Sequence, residues 1–425
     1  MLRDWLDSDK RSSSFRTYVE ILDALESSPV TPYEVAFCVR PTIRGGGRNL
    51  VAISHCHIYY DVPTSCTFMV DLTGLVKGLH HITLVTSNEE INRRFYTEVM
   101  GLRRVKLTVN QDDIYHRHLF YADENGTTGS AITFFEWPNL QRGEVGLGSP
   151  HHLSYSVPKL DAIWKWKSWL TSQGISVIGP FARDGRVSLY LRDPDGVTIE
   201  IASTNEDIVS NDYLGEESNN APTVSSITQD MRLTTFNHVS PVSSDPELTS
   251  KYLKTLVGLK ESFTKPNPDQ KESLILGIGN DDKPDFLRYI SSANASYGSV
   301  GIGNIHHIAM AVEEEEDQLR IMRHLNDAGI QNSGIVDRFW FKSLYFRDPD
   351  YNLLEIATVK PGYTADEPLE KLGTGLVLPA WLEPKRDSIQ RTLKETDRVN
   401  AKKWPPTFPA IDSPPERILV KTASS

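Results

Sequence analysis

The chain contains an internal repeat, and this repeat constrains the fold more than any other feature of the sequence. At an ungapped offset of 155 residues, His151-His152 recurs as His306-His307, and Glu200 recurs as Glu355. The residues between them recur as well: Arg183 as Arg338, Tyr190 as Tyr345, and Arg192-Asp193-Pro194-Asp195 as Arg347-Asp348-Pro349-Asp350. A repeat of this kind predicts a fold built from copies of one structural unit.

A second pair of related segments raises the number of copies to four. Residues 79–86 correspond to 236–243 at an offset of 157 residues. Each copy begins with a strand pattern and continues with a helical stretch, such as 160–173 or 315–328. The second and fourth copies end with an Asp-Pro-Asp turn between two strand patterns, which is typical of a β-hairpin. The predicted unit is therefore a βαβββ module, and the fold class is α+β.

Composition divides the chain into domains and connecting segments. Residues 204–232 are rich in Asn, Ser, Glu and Thr, as expected of a solvated linker, and the C-terminal residues are rich in Pro and charge. We predict an extension of unknown role at residues 1–77 and a first two-module domain at 78–205. A linker at 206–232, a second two-module domain at 233–362 and a tail at 363–425 follow. The tail is predicted to wrap the core and to contain a helix around 383–397.

Charge and composition also exclude several classes of partner. The net charge of -11 over 425 residues comes without a basic stripe, which argues against binding to nucleic acid. No run of about 18 apolar residues occurs, so we expect no membrane partner. The three cysteines have neither zinc-ligand spacing nor a disulfide pattern. We therefore expect a soluble, cytoplasmic protein.

The repeated histidines and glutamates predict a metal site. His152 precedes Glu200 by 48 residues, and His307 precedes Glu355 by the same interval. A His on the first strand of a module and a Glu on its last strand can face one side of a sheet. Two His and one carboxylate leave coordination positions open on a divalent metal, as in non-haem Fe(II) oxygenases. Histidines occupy the equivalent place in all four modules, at His81, His152, His238 and His307.

Other conspicuous motifs have simpler interpretations. The Arg-Asp-Pro-Asp segments are interpreted as turns, because Asp and Pro favour β-turn geometry. The segment His55-Cys56-His57 is interpreted as incidental, because alternation along a strand would place Cys56 opposite the two His. We expect Trp166 and Trp169 to pack against the core from one helix face. Three residues of the first module are candidates for substrate contact only: Tyr115, His116 and His118.

Several motifs resemble one known family. Residues 78–83 (Gly-Leu-His-His-Ile-Thr), 337–349 and 355–357 (Glu-Ile-Ala), with tail segments 361–368 and 378–384, resemble the glyoxalase-like (vicinal oxygen chelate) ring-cleaving dioxygenases, specifically the hydroquinone-cleaving subgroup. The resemblance implies four βαβββ modules paired into two domains with curved mixed sheets, the glyoxalase/extradiol dioxygenase fold. It also implies Fe(II) or Mn(II), O2 as co-substrate and a small aromatic diol as substrate, and it allows a homo-oligomer.

The resemblance also assigns roles to residues. Carried over by position, the metal ligands are His81 from the first module and His307 and Glu355 from the fourth. The residues implied around them, which would orient substrate hydroxyls and stabilise charge, are His80, Thr83, His306, Arg338 and Tyr345.

The sequence leaves other ligand sets open. His152, Glu200 and His238 form a second complete set, whereas pairing the modules by domain would combine His238 with His307 and Glu355. Function has alternatives too. A glyoxalase-type isomerase or lyase would need a fourth protein ligand on the last strand of the first module, a place that we assign to Ile132, with Glu136 near the strand end. A non-catalytic ligand-binding protein is the other alternative.

Overall fold

The structure is a computed structural model that describes residues 71–183, 185–204, 224–412 and 415–420. Most of the predicted N-terminal extension lies outside the described residues, and with it the three cysteines and the His55-Cys56-His57 segment. Most of the predicted linker also lies outside them.

The first two modules follow the predicted order of one strand, one helix and three strands. The first consists of β1 (Val76–Thr86), α1 (Glu89–Arg94), β2 (Arg103–Asn110), β3 (Asp113–Ala122) and β4 (Ala131–Glu136), with a π-helical turn at Phe95–Val99 after α1. The second consists of β5 (His152–Ser156), α2 (Leu160–Ser172), β6 (Val177–Arg183), β7 (Arg186–Arg192) and β8 (Thr198–Thr204).

The last two modules repeat this order, so the βαβββ prediction is confirmed. The third consists of β9 (Phe236–Ser240), the short β10 (Val242–Ser243), α3 (Pro246–Val257), β11 (Lys260–Pro266), β12 (Leu274–Gly279) and β13 (Leu287–Ser291). The fourth consists of β14 (Ile305–Val312), α4 (Glu315–Asp327), β15 (Asn332–Asp337), β16 (Lys342–Arg347) and β17 (Leu353–Thr358), and the tail adds α5 (Arg386–Val399).

The helices form where capping and apolar spacing favour them. Helix α3 begins at Asp245, whose side chain accepts a hydrogen bond from the Leu248 N–H, and ends at Gly258 in the left-handed region. In α2, Trp166 and Trp169 each donate an indole hydrogen bond to a core carbonyl at 2.8 Å, which confirms their packing role. Among the described residues, no helix combines the length and the apolar character needed to cross a membrane.

The sheets pair the modules across the chain. The eight-stranded sheet has the order β15-β16-β17-β14-β1-β4-β3-β2, and the nine-stranded sheet has the path β11-β12-β13-β9-β5-β8-β7-β6 with β10 on β13. The first module therefore shares a sheet with the fourth, and the second shares one with the third. The predicted domain boundary lies between the second and third modules. Each sheet contains one module from each side of that boundary.

The turns predicted from Arg-Asp-Pro-Asp also connect the modules. Asp193 accepts hydrogen bonds from the N–H groups of Asp195 and Val197 at 3.0 and 2.8 Å, which closes the turn. The Asp195 carboxylate then accepts from Thr86 Oγ1 at 2.6 Å and from the Ser87 hydroxyl at 2.7 Å. Both motifs therefore form turns, as predicted. The first motif also ties the second module to the first, and the second ties the fourth module to the third, which was not predicted.

The C-terminal tail wraps both sheets, as predicted. Near its start, Leu376 bridges Leu107 of the eight-stranded sheet. Helix α5 places Asp397 at 2.8 Å from the Arg117 guanidinium. Near its end, the Ile418 N–H donates to Gln270 Oε1 at 3.0 Å, beside the nine-stranded sheet.

Two connecting segments run against each other between the sheets. Isolated bridges join Arg142 to Ile302, Glu144 to Ser299 and Leu147 to Tyr297. A Cβ added to Gly298 would lie 2.5 Å from the Glu144 carbonyl oxygen, so glycine is required at this crossing. One segment leads from the first module to the second and the other from the third to the fourth, so their contact lies where the chain passes between the two sheets.

We predict that Gly298→Ala destabilises the protein by about 1–3 kcal/mol, because the new methyl group overpacks the crossing backbone. Gly375→Ala is the matched control, since a Cβ there meets nothing within 4 Å. It is expected to change stability by less than about 0.5 kcal/mol. Urea unfolding of the full-length protein measures both. Equal stability of the two variants would contradict the tight crossing.

Candidate metal centre

Three side chains of the eight-stranded sheet converge at its centre. Strands β1 and β14 are antiparallel neighbours, and Thr83 lies opposite His307. Because side chains alternate along a strand, His81, two residues before Thr83, lies on the same face of the sheet as His307. Strand β17 runs parallel to β14 with Glu355 beside Ala309, which brings the carboxylate to the same face. Glu355 Oε2 lies 3.0 Å from His307 Nε2 and 3.4 Å from His81 Nε2. All three residues are buried.

A neighbouring histidine orients each histidine of this cluster. His80 Nδ1 lies 2.8 Å from His81 Nδ1, and His306 Nδ1 lies 2.8 Å from His307 Nδ1. His80 also hydrogen-bonds the backbone of Thr358, where a carbonyl can only accept. The proton between the first pair therefore belongs to His81 Nδ1, which leaves the Nε2 lone pair directed at the cluster. Burial and the neighbouring His81 lower the pKa of His80 to about 3, so it stays neutral.

The Glu355 carboxylate has one satisfied oxygen and one that lacks a donor. Its Oε1 accepts a 2.5 Å hydrogen bond from the Ser343 hydroxyl, whereas Oε2 is buried without a hydrogen-bond partner. Burial raises the pKa of Glu355, whereas positive charge beside it at the two imidazoles lowers it, and the balance leaves this pKa well below its usual range. A buried anionic oxygen facing two imidazole nitrogens is a donor set that fits a divalent transition metal.

A cavity borders this cluster and is rich in aromatic side chains. Arg338 stands on its rim, 2.8 Å from Asp112, and its guanidinium lies 5.5 Å from the centre of the Tyr345 ring. Burial raises the pKa of Tyr345, so its hydroxyl stays protonated. The lining residues are His81, Asn110, Gln111, Asp112, His118, Phe120, Phe135, His307, Arg338, Trp340, Phe341 and Tyr345. Two of the residues predicted around the metal, Arg338 and Tyr345, therefore face this cavity.

The equivalent of Glu355 in the first module is Thr133. Strand β4 pairs in parallel with β1 and places Thr133 beside Thr83, as β17 places Glu355 beside Ala309. Thr133 Oγ1 lies 2.8 Å from Thr83 Oγ1 and 2.9 Å from His118 Nε2. The predicted site residue Thr83 thus holds Thr133, and a hydroxyl occupies the place of a fourth ligand.

The assignment of that place to Ile132 was wrong by one residue. Strand alternation turns Ile132 to the opposite face, where it is part of the hydrophobic core. Glu136 lies elsewhere, because its carboxylate binds the Arg117 guanidinium at 2.7 Å and the Glu89 N–H at 3.0 Å.

The three candidates for substrate contact separate in the structure. His118 lines the cavity, whereas Tyr115 is 42% exposed and His116 lies 3.0 Å from the Asp113 carboxylate. Strand β3 pairs His118 with Phe135 of β4, and this register brings it inside. The missed residue, Thr133, was within reach of the sequence, because it is the polar member of the strand face that it shares with Ala131 and Phe135.

The second set of histidines and glutamate forms a cluster of its own. Glu200 Oε2 lies 3.1 Å from His238 Nε2 and 3.8 Å from His152 Nε2, at the centre of the nine-stranded sheet. Because this sheet pairs the second module with the third, His238 is brought to His152 and not to His307. The set predicted from pairing by domain is therefore not assembled.

Comparisons with known proteins agree with this architecture. The chain is similar to the putative ring-cleaving dioxygenase MhqA of Bacillus subtilis (strain 168), with 32% identity over 319 residues, 75% of this chain and 98% of that protein. It is 27% identical to the chlorohydroquinone/hydroquinone 1,2-dioxygenase of Sphingobium indicum, covering 77% of this chain and 99% of that protein.

A solved structure and a family model lead to the same conclusion. The crystal structure of a putative dioxygenase from Bacillus subtilis has a TM-score of 0.63 and 30% identity, and covers 75% of this chain and 96% of that one. The family model described as Glyoxalase/Bleomycin resistance protein/Dioxygenase superfamily matches residues 78–201 and 235–356, more than half of the chain. The family resemblance seen in the sequence motifs is confirmed. The chain belongs to the Glyoxalase/Bleomycin resistance protein/Dioxygenase superfamily.

Proposed function

We propose that this protein is a metal-dependent dioxygenase that opens a hydroquinone- or catechol-like ring with O2. The metal would be Fe(II) or Mn(II), held by His81, His307 and Glu355. The observation that carries the proposal is the buried Glu355 oxygen without a donor, which faces two imidazole nitrogens beside an aromatic-lined cavity. The ring-cleaving and hydroquinone-cleaving activities named for the relatives support the same chemistry.

The metal, when bound, would supply the open coordination and redox chemistry that O2 and a diol require. The chain contributes the walls of the cavity. Phe120, Phe135 and Phe341 line it, and Phe341 lies 5.1 Å, between ring centres, from His81. An aromatic substrate can pack against these rings, which exclude water from the reacting hydroxyls.

Polar residues of the cavity would stabilise charge and hold protons. Arg338 carries a permanent positive charge, and Tyr345 is a protonated hydroxyl, so both can stabilise negative charge that develops on ring oxygens. Burial holds the pKa of His118 well below its usual range, so this imidazole is neutral and can hydrogen-bond a phenolic hydroxyl.

The residue at the position of a fourth metal ligand, Thr133, favours dioxygenase over isomerase chemistry. An isomerase would need a strong ligand there, whereas Thr133 presents a neutral hydroxyl already engaged by Thr83 and His118. A coordination position left open is what O2 chemistry requires. A binding protein without activity is also disfavoured, because all three proposed metal ligands are assembled.

We predict that His307→Ala abolishes ring opening, because it removes a metal ligand. His152→Ala, the matched change in the other cluster, is expected to retain activity within about threefold, since distant sites act independently. The measurement is O2 uptake with hydroquinone after anaerobic loading with Fe(II). The reverse pattern would assign catalysis to the nine-stranded sheet.

We predict that Tyr345→Phe lowers kcat by about 100-fold through loss of one hydrogen-bond donor, while bound metal is unchanged. Tyr190→Phe is the matched control, because Tyr190 is the repeat equivalent in the other cluster. Steady-state kinetics with metal analysis of each preparation decides the outcome. A Tyr345→Phe enzyme with the wild-type kcat would exclude Tyr345 from the reaction.

We predict that Thr133→Glu retains metal but loses O2 uptake, because the new carboxylate fills the open coordination position. Thr133→Val removes the hydroxyl without adding a ligand, and it is expected to keep most of the activity. Metal content and O2 uptake are measured on both variants. Full activity of the Glu variant would show that position 133 does not face the metal.

A further inference from the structure

In the second cluster, which consists of His152, Glu200 and His238, hydrogen bonds fix the tautomer of His238. His238 Nδ1 lies 2.9 Å from Asn237 Oδ1, and Arg186 donates to the same oxygen at 2.9 Å, which identifies it as the acceptor. His238 therefore carries its proton on Nδ1. Its Nε2 lone pair points towards Glu200 Oε2 at 3.1 Å.

The other histidine is fixed by the C-terminal tail. His151 Nε2 lies 3.0 Å from the backbone oxygen of Arg417, which can only accept, so His151 donates from Nε2. His151 Nδ1 then accepts from His152 Nδ1 at 2.9 Å. His152 Nε2 is left with a lone pair, 3.4 Å from His238 Nε2.

These atoms repel one another unless a cation lies between them. Glu200 Oε1 accepts from the Tyr190 hydroxyl at 3.1 Å, but Oε2 is buried without a hydrogen-bond partner. Ser240 Oγ lies 3.3 Å from His152 Nε2 and offers that nitrogen one long hydrogen bond. The three donor atoms lie within 4.8 Å of one another, as they do in the first cluster. Two imidazole nitrogens and a carboxylate oxygen suit a divalent transition metal.

The tail also carries a buried carboxylate that interacts electrostatically with Glu200 and His238 of this cluster. Glu416 is 3% exposed, and its Oε2 has no hydrogen-bond partner. Its carboxylate oxygens lie 3.9 Å from the Arg183 and Arg288 guanidiniums. Its backbone is fixed on both sides, because its N–H donates to Asp269 at 2.9 Å and its carbonyl accepts from Asn267 at 2.8 Å.

The surroundings differ from those of the first cluster. Arg186 is the repeat equivalent of Phe341, and the strand register places Arg288 where the first module has Thr133. Arg186 pairs with Asp285 at 3.0 Å, and both arginines are buried. Charged side chains thus stand where the first cluster has an aromatic cavity wall and a small hydroxyl. A closed site of this kind is typical of structural metals, whereas catalytic metals keep an accessible position.

We infer that His152, Glu200 and His238 bind a second divalent metal ion in a closed structural site, which segment 415–420 completes through the Arg417 carbonyl and the Glu416 carboxylate. The site anchors the tail to the second and third modules. In the first cluster, the repeat equivalent of His151 is His306. The other neighbouring histidine of that cluster, His80, bonds the backbone of Thr358 at the end of β17 and not this segment.

The test is metal content of the full-length protein after anaerobic loading, with Fe(II) and separately with Zn(II), followed by desalting. The expected content is two ions per chain in wild type and one in either His238→Ala or His307→Ala. The control is His324→Ala, which removes a buried histidine outside both clusters and keeps both ions. Glu200→Gln, which preserves shape, replaces His238→Ala if that variant does not fold, and it is expected to bind one ion.

Release of the ion to a chelator tests the role of the tail. In His307→Ala, the remaining ion should leave slowly, and adding Glu416→Gln should accelerate its release about 10-fold or more. In His238→Ala, Glu416→Gln should have no effect. The inference would be overturned if the wild type bound one ion, His307→Ala lost it and His238→Ala kept it. The second cluster would then be a protonated imidazole–carboxylate pair. Ring opening is assayed separately: two ions without ring opening would refute the proposed function alone.

Discussion

The proposed sites of this protein depend on two antiparallel strand pairings, β1 with β14 and β5 with β9. Each pairing joins the first strands of two modules and sets their histidines on one face of a sheet. One of the two modules then adds a carboxylate from its last strand, which runs parallel to the first. A single module contributes at most two of the three donors, so neither cluster exists until two modules have paired. For the first cluster these are the first and fourth modules, the two that lie farthest apart in the chain.

The same donor set stands in two different environments. Around Glu355, Phe120, Phe135 and Phe341 are among the side chains that line a cavity. Around Glu200, arginines and the tail fill the corresponding space, and the neighbour of one histidine takes its hydrogen-bond acceptor from the tail itself. Duplication thus supplied two equivalent ligand sets, and the residues around them separate a proposed catalytic site from a proposed structural one.

Much of this architecture could be predicted from the sequence. The internal repeat indicated the βαβββ module, and the recurring His and Glu indicated a metal site. The Asp-Pro-Asp turns and the helices at 160–173 and 315–328 follow from local preferences that the structure preserves. Strand register was harder to predict, since an error of one residue exchanges Thr133 for Ile132 and turns the side chain to the other face. Which modules share a sheet depends on the pairings of β1 with β14 and of β5 with β9, which are long-range contacts without a local signal. Glu416 and Arg417 lie outside the repeat, so no internal comparison could identify them.

We propose that the cluster of His81, His307 and Glu355 uses O2 to open an aromatic diol. The most direct test is the stoichiometry of O2 uptake against ring-opened product, with hydroquinone and catechol, in the protein loaded anaerobically with Fe(II) or Mn(II). We expect metal-dependent uptake of one molecule of O2 for each diol opened, with both oxygen atoms of labelled O2 found in the product. Tightly bound metal without O2 uptake on either diol would contradict it.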